Sequence, residues 1–244
     1  MAYNIRGEYI VMQQAKIGIL CWEAGQVPRG LVQLELLIGN STNPQSYAFP
    51  VRFCRVKGAN VKTVLENPSR EVLQNMIVEA KAMVADGVRA ITTSCGFNAI
   101  FQNELTEAVN VPVFTSSLLQ VPIVQKMVGP KGELIILTAN KAALKQEHLR
   151  AVAITNTTNL HIYGLEACNE WNKIFSSPDK DIDLNIIREE VVGVALKIYK
   201  AYSHARAFIL ECTDLPPFSE EIKNVTGLPV FDFITLVNYV YSAL

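Results

Sequence analysis

The feature that most constrains this chain is an internal repeat. The stretch RAITTSCGFNAIFQNELTEAVNVPVF (89–114) aligns without a gap to RAFILECTDLPPFSEEIKNVTGLPVF (206–231), and 212 − 95 and 229 − 112 both give an offset of 117. Arg89/Arg206, Ala90/Ala207, Cys95/Cys212, Phe101/Phe218, Glu104/Glu221, Pro112/Pro229, Val113/Val230 and Phe114/Phe231 are identical pairs, and Leu105/Ile222 and Val111/Leu228 match in type. Any two α/β units share apolar positions. They do not by that token share a cysteine at the end of the same strand. The repeat means one structural unit used twice, each copy carrying strand, cysteine, helix and strand, with KIGILC and GELIIL as the first strand of each half.

The rest of the chain fits that frame. Short apolar runs at 16–22, 49–56, 89–94, 111–114, 132–138, 159–164, 206–211 and 228–231 read as strands. Helix-length segments at 69–86, 97–109, 118–128, 140–153, 184–202, 217–225 and 233–242 alternate with them. In 69–86, Val72, Met76, Ile77, Ala80, Met83 and Val84 form an apolar stripe at helical spacing, and Ser69 is placed to cap it. Strands alternating with helices argue for parallel sheets. The expected fold is therefore α/β: two similar α/β domains with parallel sheets, related by pseudo-twofold symmetry, with the active site in the cleft between them. The first domain is expected over 1–118 and the second over 119–231, with a C-terminal helix (232–244) returning to the first. The stretch 23–48, punctuated by Gly25, Pro28, Gly30, Gly39 and Pro44, reads as a mobile loop region beside the site.

Composition excludes several partners. Lys and Arg total 22 against 23 Asp and Glu, a net charge of −1, so no basic field exists to hold nucleic acid. MAYNIRGEYIVMQQAK lacks the apolar core of a signal peptide, and no run of 18 apolar residues offers a membrane span. Five cysteines do not form a disulfide framework, which points to a reduced, cytoplasmic protein. There is no CxxC, HExxH or EF-hand pattern, and His148, His161 and His204 fall at no motif spacing, so no metal is expected. Gly25-Gln-Val-Pro-Arg-Gly30 has Leu31 where a P-loop needs lysine, and no GxGxxG follows a strand, so no nucleotide cofactor is expected either.

The chemistry follows from the two thiols. Ligands of open parallel sheets bind beyond the carboxyl ends of the strands, which is where Cys95 and Cys212 fall. Each precedes a helix, and the partial positive charge at a helix start lowers a thiol pKa and attracts carboxylates. Two thiols facing each other across a cleft could remove a proton from one face of a carbon and return one to the other. Donors at the helix starts, Gly96 among them, would hold a carboxylate and the enolate-like charge beside it. With approach distances of about 3–3.5 Å, a carbon between two sulfurs implies roughly 7 Å between them. Trp22 could wall the pocket, and Ser116, Ser117 and Thr138, at strand ends, should face the cleft. Cys54 and Cys168 read as small buried hydrophobes, and Cys21 as a packing residue close to the site. Glu211 and Asp214 flank the second thiol and should raise its pKa, by repelling the thiolate or accepting the S–H.

TTSCGF, ECTDLPPF and the twofold repeat resemble the aspartate/glutamate racemase superfamily over about residues 14–240. IGNSTNPQSYAFPVRF (38–53) also resembles a stretch of its racemase-like members. That group includes PLP-independent amino-acid racemases, hydantoin racemases, maleate isomerases and arylmalonate decarboxylases. The resemblance implies two α/β domains, a catalytic cysteine pair, no cofactor and a possible homodimer. It makes Cys212-Thr213 the second motif, with Thr213 a carboxylate contact. The first motif departs: Cys95-Gly96-Phe97 stands where amino-acid racemases of the group carry Cys-Asn-Thr, so Phe97 could supply an apolar wall and Asn98 comes one residue late. The expected activity is a cofactor-independent racemase or epimerase. It would act on a small carboxylate substrate, an amino acid such as aspartate or glutamate or a derivative such as a hydantoin. The alternatives are a maleate-type cis-trans isomerase or decarboxylase on the same scaffold, and a non-catalytic small-molecule binding protein.

Overall fold

The apolar runs become two four-stranded parallel sheets. The computed structural model describes residues 14–244 and two short antiparallel strands, β1 (Ala2–Tyr3) and β2 (Tyr9–Ile10). The N-terminal stretch read above for a leader lies largely outside the described residues. The first sheet contains β3 (Ile17–Cys21), β4 (Val51–Arg55), β5 (Ala90–Thr93) and β6 (Val113–Phe114), in the order β4-β3-β5-β6. The second contains β7 (Glu133–Thr138), β8 (Leu160–Gly164), β9 (Ala205–Leu210) and β10 (Val230–Phe231), in the order β8-β7-β9-β10. The two orders are the same, and the offset of 117 carries Ile17 of β3 onto Leu134 of β7 and Val113 of β6 onto Val230 of β10. The central strands IGILC, AITT and ELIILT are buried almost throughout, as parallel strands covered on both faces must be.

The covering helices are α1 (Arg29–Leu34), α2 (Arg70–Ala85), α3 (Gln102–Ala108), α4 (Val121–Val128), α5 (Gln146–Ala151), α6 (Asn169–Ser176), α7 (Leu184–Ala201), α8 (Ser219–Thr226) and α9 (Phe233–Ser242). Helix α2 starts where Ser69 Oγ accepts the Val72 N–H, and it buries Val72, Leu73, Met76, Ala80 and Met83. Helix α9 is opened by a capping box of Asp232 and Thr235. Its Phe233, Leu236 and Val237 share a core with Ile17, Ile19, Ala90 and Phe114, so the chain's last helix packs on the first sheet.

Three expectations change. The segments 97–109 and 118–128 begin as tight 3-10 turns, Gly96–Phe101 and Ser117–Gln120, before α3 and α4. The segment 140–153 shortens to α5. The stretch 23–48 contains α1, whose apolar residues are too few to show a period. Helix α1 is bound to the second half: the Arg29 N–H donates to Pro178 O at 2.7 Å, Gln33 pairs in both directions with Ile182, and Arg29 forms an ion pair with Asp181. Gly30 permits this approach, because a Cβ there would lie 2.9 Å from Ile174 and 3.0 Å from Ile182.

Candidate active site

Strands β5 and β9 end at Thr93 and Leu210, and both continuations turn into one cleft. They touch each other reciprocally. Thr213 Oγ1 donates to Ser94 O at 2.5 Å, while Gly96 lies against Glu211, where an added Cβ would come within 2.2 Å of both the Glu211 carbonyl and its Oε1. The repeat pairs Ser94 with Glu211 and Gly96 with Thr213. The two contacts are thus the same contact made once from each half, as expected beside a twofold axis. Ser117 Oγ adds a bond to Leu210 O at 2.5 Å.

Around these strand ends lies a half-open cavity of about 520 Å³, counting its solvent-filled mouth. Six of the expected residues line it: Trp22, Cys95, Gly96, Phe97, Cys212 and Thr213. Four do not. Thr138 is buried with its hydroxyl donating to Glu211 Oε2 at 2.6 Å, Ser116 caps the turn after β6 through Leu118 N–H, and Ser117 is engaged with the second half. Asn98 is fully buried, with neither side-chain polar atom bonded. The cavity is completed by residues that the sequence reading did not place there: Glu35, Val27 and Leu31 from α1 and its flanks, Thr42 from the following loop, Phe175 from α6, and Asp214. Val27, Leu31, Glu35 and Thr42 fall in the stretch 23–48, expected beside the site without these residues being singled out, and Asp214 adjoins Cys212-Thr213; Phe175 has no sequence signal.

Burial overrides the lowering expected from the helix starts, while the raising expected of Glu211 and Asp214 at Cys212 is found. Burial pushes the Cys95 thiol far up, with Glu211 adding and the backbone N–H groups of Phe97 and Asn98 pulling only partly back. Burial likewise holds Cys212 well above the ordinary thiol range, with Asp214 and Glu211 adding. The turns that follow the cysteines are too short to offset this desolvation. Cys212 Sγ lies 3.6 Å from Asp214 Oδ2, and Asp214 Oδ1 accepts from Asn40 Nδ2 at 2.8 Å. Burial raises Asp214 to about 6 and Glu211 to about 7. The remaining thiols lie off the cavity. Cys21 is buried and raised to about 11, and Cys168 sits at the N-terminus of α6. Cys54 is half-buried and donates to Glu79 Oε2 at 3.1 Å, so it is more polar in its surroundings than a plain core filler. Among the described residues no group of three or more His, Cys, Asp or Glu side chains is arranged to hold a metal. No helix among them is long and apolar enough to cross a membrane.

No family model matches the sequence. The chain is 28% identical over 218 residues to a dimethylsulfoniopropionate lyase of Durusdinium sp. clade D, covering 86% of this chain and 72% of that protein. It is 28% identical over 180 residues to dimethylsulfoniopropionate lyase 5 of Emiliania huxleyi (strain CCMP1516), covering 71% and 35%, and 27% identical over 216 residues to lyase 7 of the same strain, covering 85% and 63%. The chain therefore spans less than two thirds of the length of both Emiliania proteins. Among solved structures, allantoin racemase from Klebsiella pneumoniae superposes with a TM-score of 0.62 at 12% identity, over 94% of this chain and 89% of that one. An aspartate racemase homologue from Pyrococcus horikoshii OT3 gives 0.58 at 18% identity, over 94% and 99%. Unliganded arylmalonate decarboxylase gives 0.53 at 15% identity, over 95% and 92%. The chain has the two-domain fold of the aspartate/glutamate racemase superfamily, while the relatives found by sequence carry the name of a lyase.

Proposed function

We propose that this chain is a lyase that removes the α-proton of a small carboxylate carrying a cationic leaving group on its β-carbon. The candidate substrate is the dimethylsulfoniopropionate in its relatives' names. The observation that carries this reading is the charge of the cavity. Among the described residues that line it, every ionisable side chain is an acid or a thiol, namely Glu35, Asp214, Cys95 and Cys212, with no Lys, Arg or His. Arg55 forms an ion pair with Glu35 at 3.5 Å from outside the lining, which leaves Asp214, among the described residues, as the acid of the cavity without an ion pair. Carboxylates beside Trp22, Phe97 and Phe175 favour a cation, which an aromatic face also attracts. The same lining disfavours a dicarboxylate such as aspartate, whose second carboxylate would find no positive partner.

The reaction balances with the chain's own groups. Cys212 passes its proton to Asp214, and the thiolate takes the α-proton of the substrate. The electron pair left on Cα forms a double bond to Cβ as the Cβ–S bond breaks, releasing dimethyl sulfide and acrylate. The proton taken from Cα leaves Cys212 a thiol again, and the one on Asp214 is lost to solvent, so that one proton is released per turnover and both groups are as they began. A bound sulfonium charge counteracts the burial and acidic neighbours that otherwise hold the thiol neutral. Cys95, reached by the amides of Phe97 and Asn98, faces the substrate from the other half. The five unpaired cysteines suit a reducing, cytoplasmic setting.

The test is to incubate the protein with dimethylsulfoniopropionate and measure dimethyl sulfide in the headspace against acrylate in solution. Equal yields of both, lost in Cys212→Ser, are expected. No sulfide release defeats the reading. A second reading, racemisation or epimerisation, is favoured by one specific observation: both halves deliver a thiol to the cavity, and elimination needs one base. It predicts deuterium uptake at Cα and loss of optical rotation for amino acids or hydantoins in heavy water, without sulfide release.

A further inference from the structure

We infer that Asn40 is a positioning residue for this reaction: reaching over from the first half, its side-chain amide holds Asp214 beside Cys212 as the acceptor of the thiol proton. The inference rests on the reading above, in which Cys212 is the base. It also assigns a role to IGNSTNPQSYAFPVRF, a segment that the proposed chemistry leaves unused.

The geometry is closed on every side. Asn40 is fully buried. Its Oδ1 accepts from both the N–H and the Oγ1 of Thr42, each at 2.9 Å, so only Nδ2 is left to face Asp214, and it donates to Oδ1 there at 2.8 Å. That bond leaves Asp214 Oδ2 turned to Cys212 Sγ at 3.6 Å. The loop carrying Asn40 is fixed in turn. Ser46 Oγ donates to Asn40 O at 2.7 Å and accepts from Gly39 N–H at 2.8 Å, and Tyr47 Oη donates to Ser41 O at 2.5 Å. The Ser41 N–H donates to Thr213 O at 3.3 Å, between the thiol and its acid. Gly39 has φ +103° and lies on Pro217, where a Cβ would come within 2.9 Å of backbone atoms, so only glycine lets the loop sit this close.

The other groups around Asp214 explain why a neutral donor is needed. Glu35 faces it from the end of α1, Glu211 and Cys212 from its own segment, and Cys95 from the turn after β5. All are acids or thiols, and among the described residues no cationic side chain is bonded to Asp214. The Asn40 amide and the Cys212 thiol are the side-chain donors that favour its ionised form. Without Asn40 the carboxyl holds its proton to higher pH and cannot take that of the thiol.

The test is Asn40→Asp, which keeps an acceptor for Thr42 and replaces the donor facing Asp214 with an oxygen that is itself ionisable, so that loss of the bond and added negative charge both raise Asp214. The acidic limb of the pH–rate profile for sulfide release should move up by about one unit, with KM changed less than about threefold and kcat down about twofold at pH 7 and about tenfold at pH 5. A second measurement needs no substrate: alkylation by iodoacetamide, mapped to single cysteines by mass spectrometry between pH 5 and pH 9. Cys212 labelling should rise as Asp214 ionises. The rise should move to higher pH in Asn40→Asp and vanish in Asp214→Asn, while Cys95 labelling moves less. If the Cys212 rise is unmoved in folded Asn40→Asp, or persists in Asp214→Asn, the inference is overturned. If labelling moves as stated but the native chain releases no sulfide, the positioning role stands and the proposed reaction falls.

Discussion

The segments after β5 and β9 descend from one repeated unit, yet they surround their thiols differently. Ser94-Cys95-Gly96-Phe97 offers its sulfur backbone amides and an aromatic wall. Glu211 and Asp214 raise both thiols, but of the two only Cys212 has a carboxyl hydrogen-bonded to its sulfur, that of Asp214, which Asn40 of the other half holds by its amide. Repetition fixes where the sulfurs go, and the residues on either side decide which has a proton acceptor at hand. A scaffold with two equivalent thiols suits inversion of a carbon. One whose thiols have diverged suits a one-base reaction in which the second thiol serves orientation.

The largest effect that can break this comparison is removal of the thiols. Cys212→Ser should lower kcat for sulfide release by at least about 10³-fold, roughly 4 kcal/mol of barrier, while Cys95→Ser should cost about tenfold. Equal losses in steady-state assays would mean that the two ends act as equals and would return the argument to racemisation. Next in size is the buried acid on one side only. Glu211 has its pKa raised from 4.5 to about 7 by burial, so the folded chain binds this proton more tightly than the unfolded one. Its stabilisation is complete below about pH 4.5 and is lost as pH rises through about 7. The contribution is on the order of 3 kcal/mol. Urea midpoints for the native chain should fall over that window, and Glu211→Gln should flatten the fall, leaving the smaller decline due to Asp214. The smallest effect sharpens the reciprocal contact. Gly96→Ala should destabilise by about 1–3 kcal/mol, since its methyl meets the Glu211 backbone. Thr213→Val, losing one hydrogen bond to Ser94, should cost about 1 kcal/mol. Thermal melts would show whether the glycine side is the less tolerant one.

Much of the frame could be read before any coordinates. Continuous apolar runs bounded by Gly, Pro and Asn mark buried parallel strands, and the matched cysteines mark the strand ends that meet. What could not be read is direction at those ends. Thr138 and Ser117 lie near the cleft in sequence terms, but their hydroxyls bond Glu211 and Leu210 instead of entering the cavity, because buried acceptors there need donors. Glu35, Thr42 and Phe175 come from short elements in stretches without periodicity, so nothing in their spacing signals a wall. The lowering expected from the helix starts fails for an energetic reason. The pull of a short turn is small beside the cost of ionising a sulfur within the protein, and that cost depends on packing no local motif reports.

The handclasp of Thr213 with Ser94 and Gly96 with Glu211 has a mechanical consequence. Any rocking of the two sheets about their shared axis displaces least whatever lies nearest to it. The rim, where α1 is tied to Pro178, Asp181 and Ile182, is the part that would have to part for the cleft to open, while the sulfurs, close to the pivot, would scarcely change their separation.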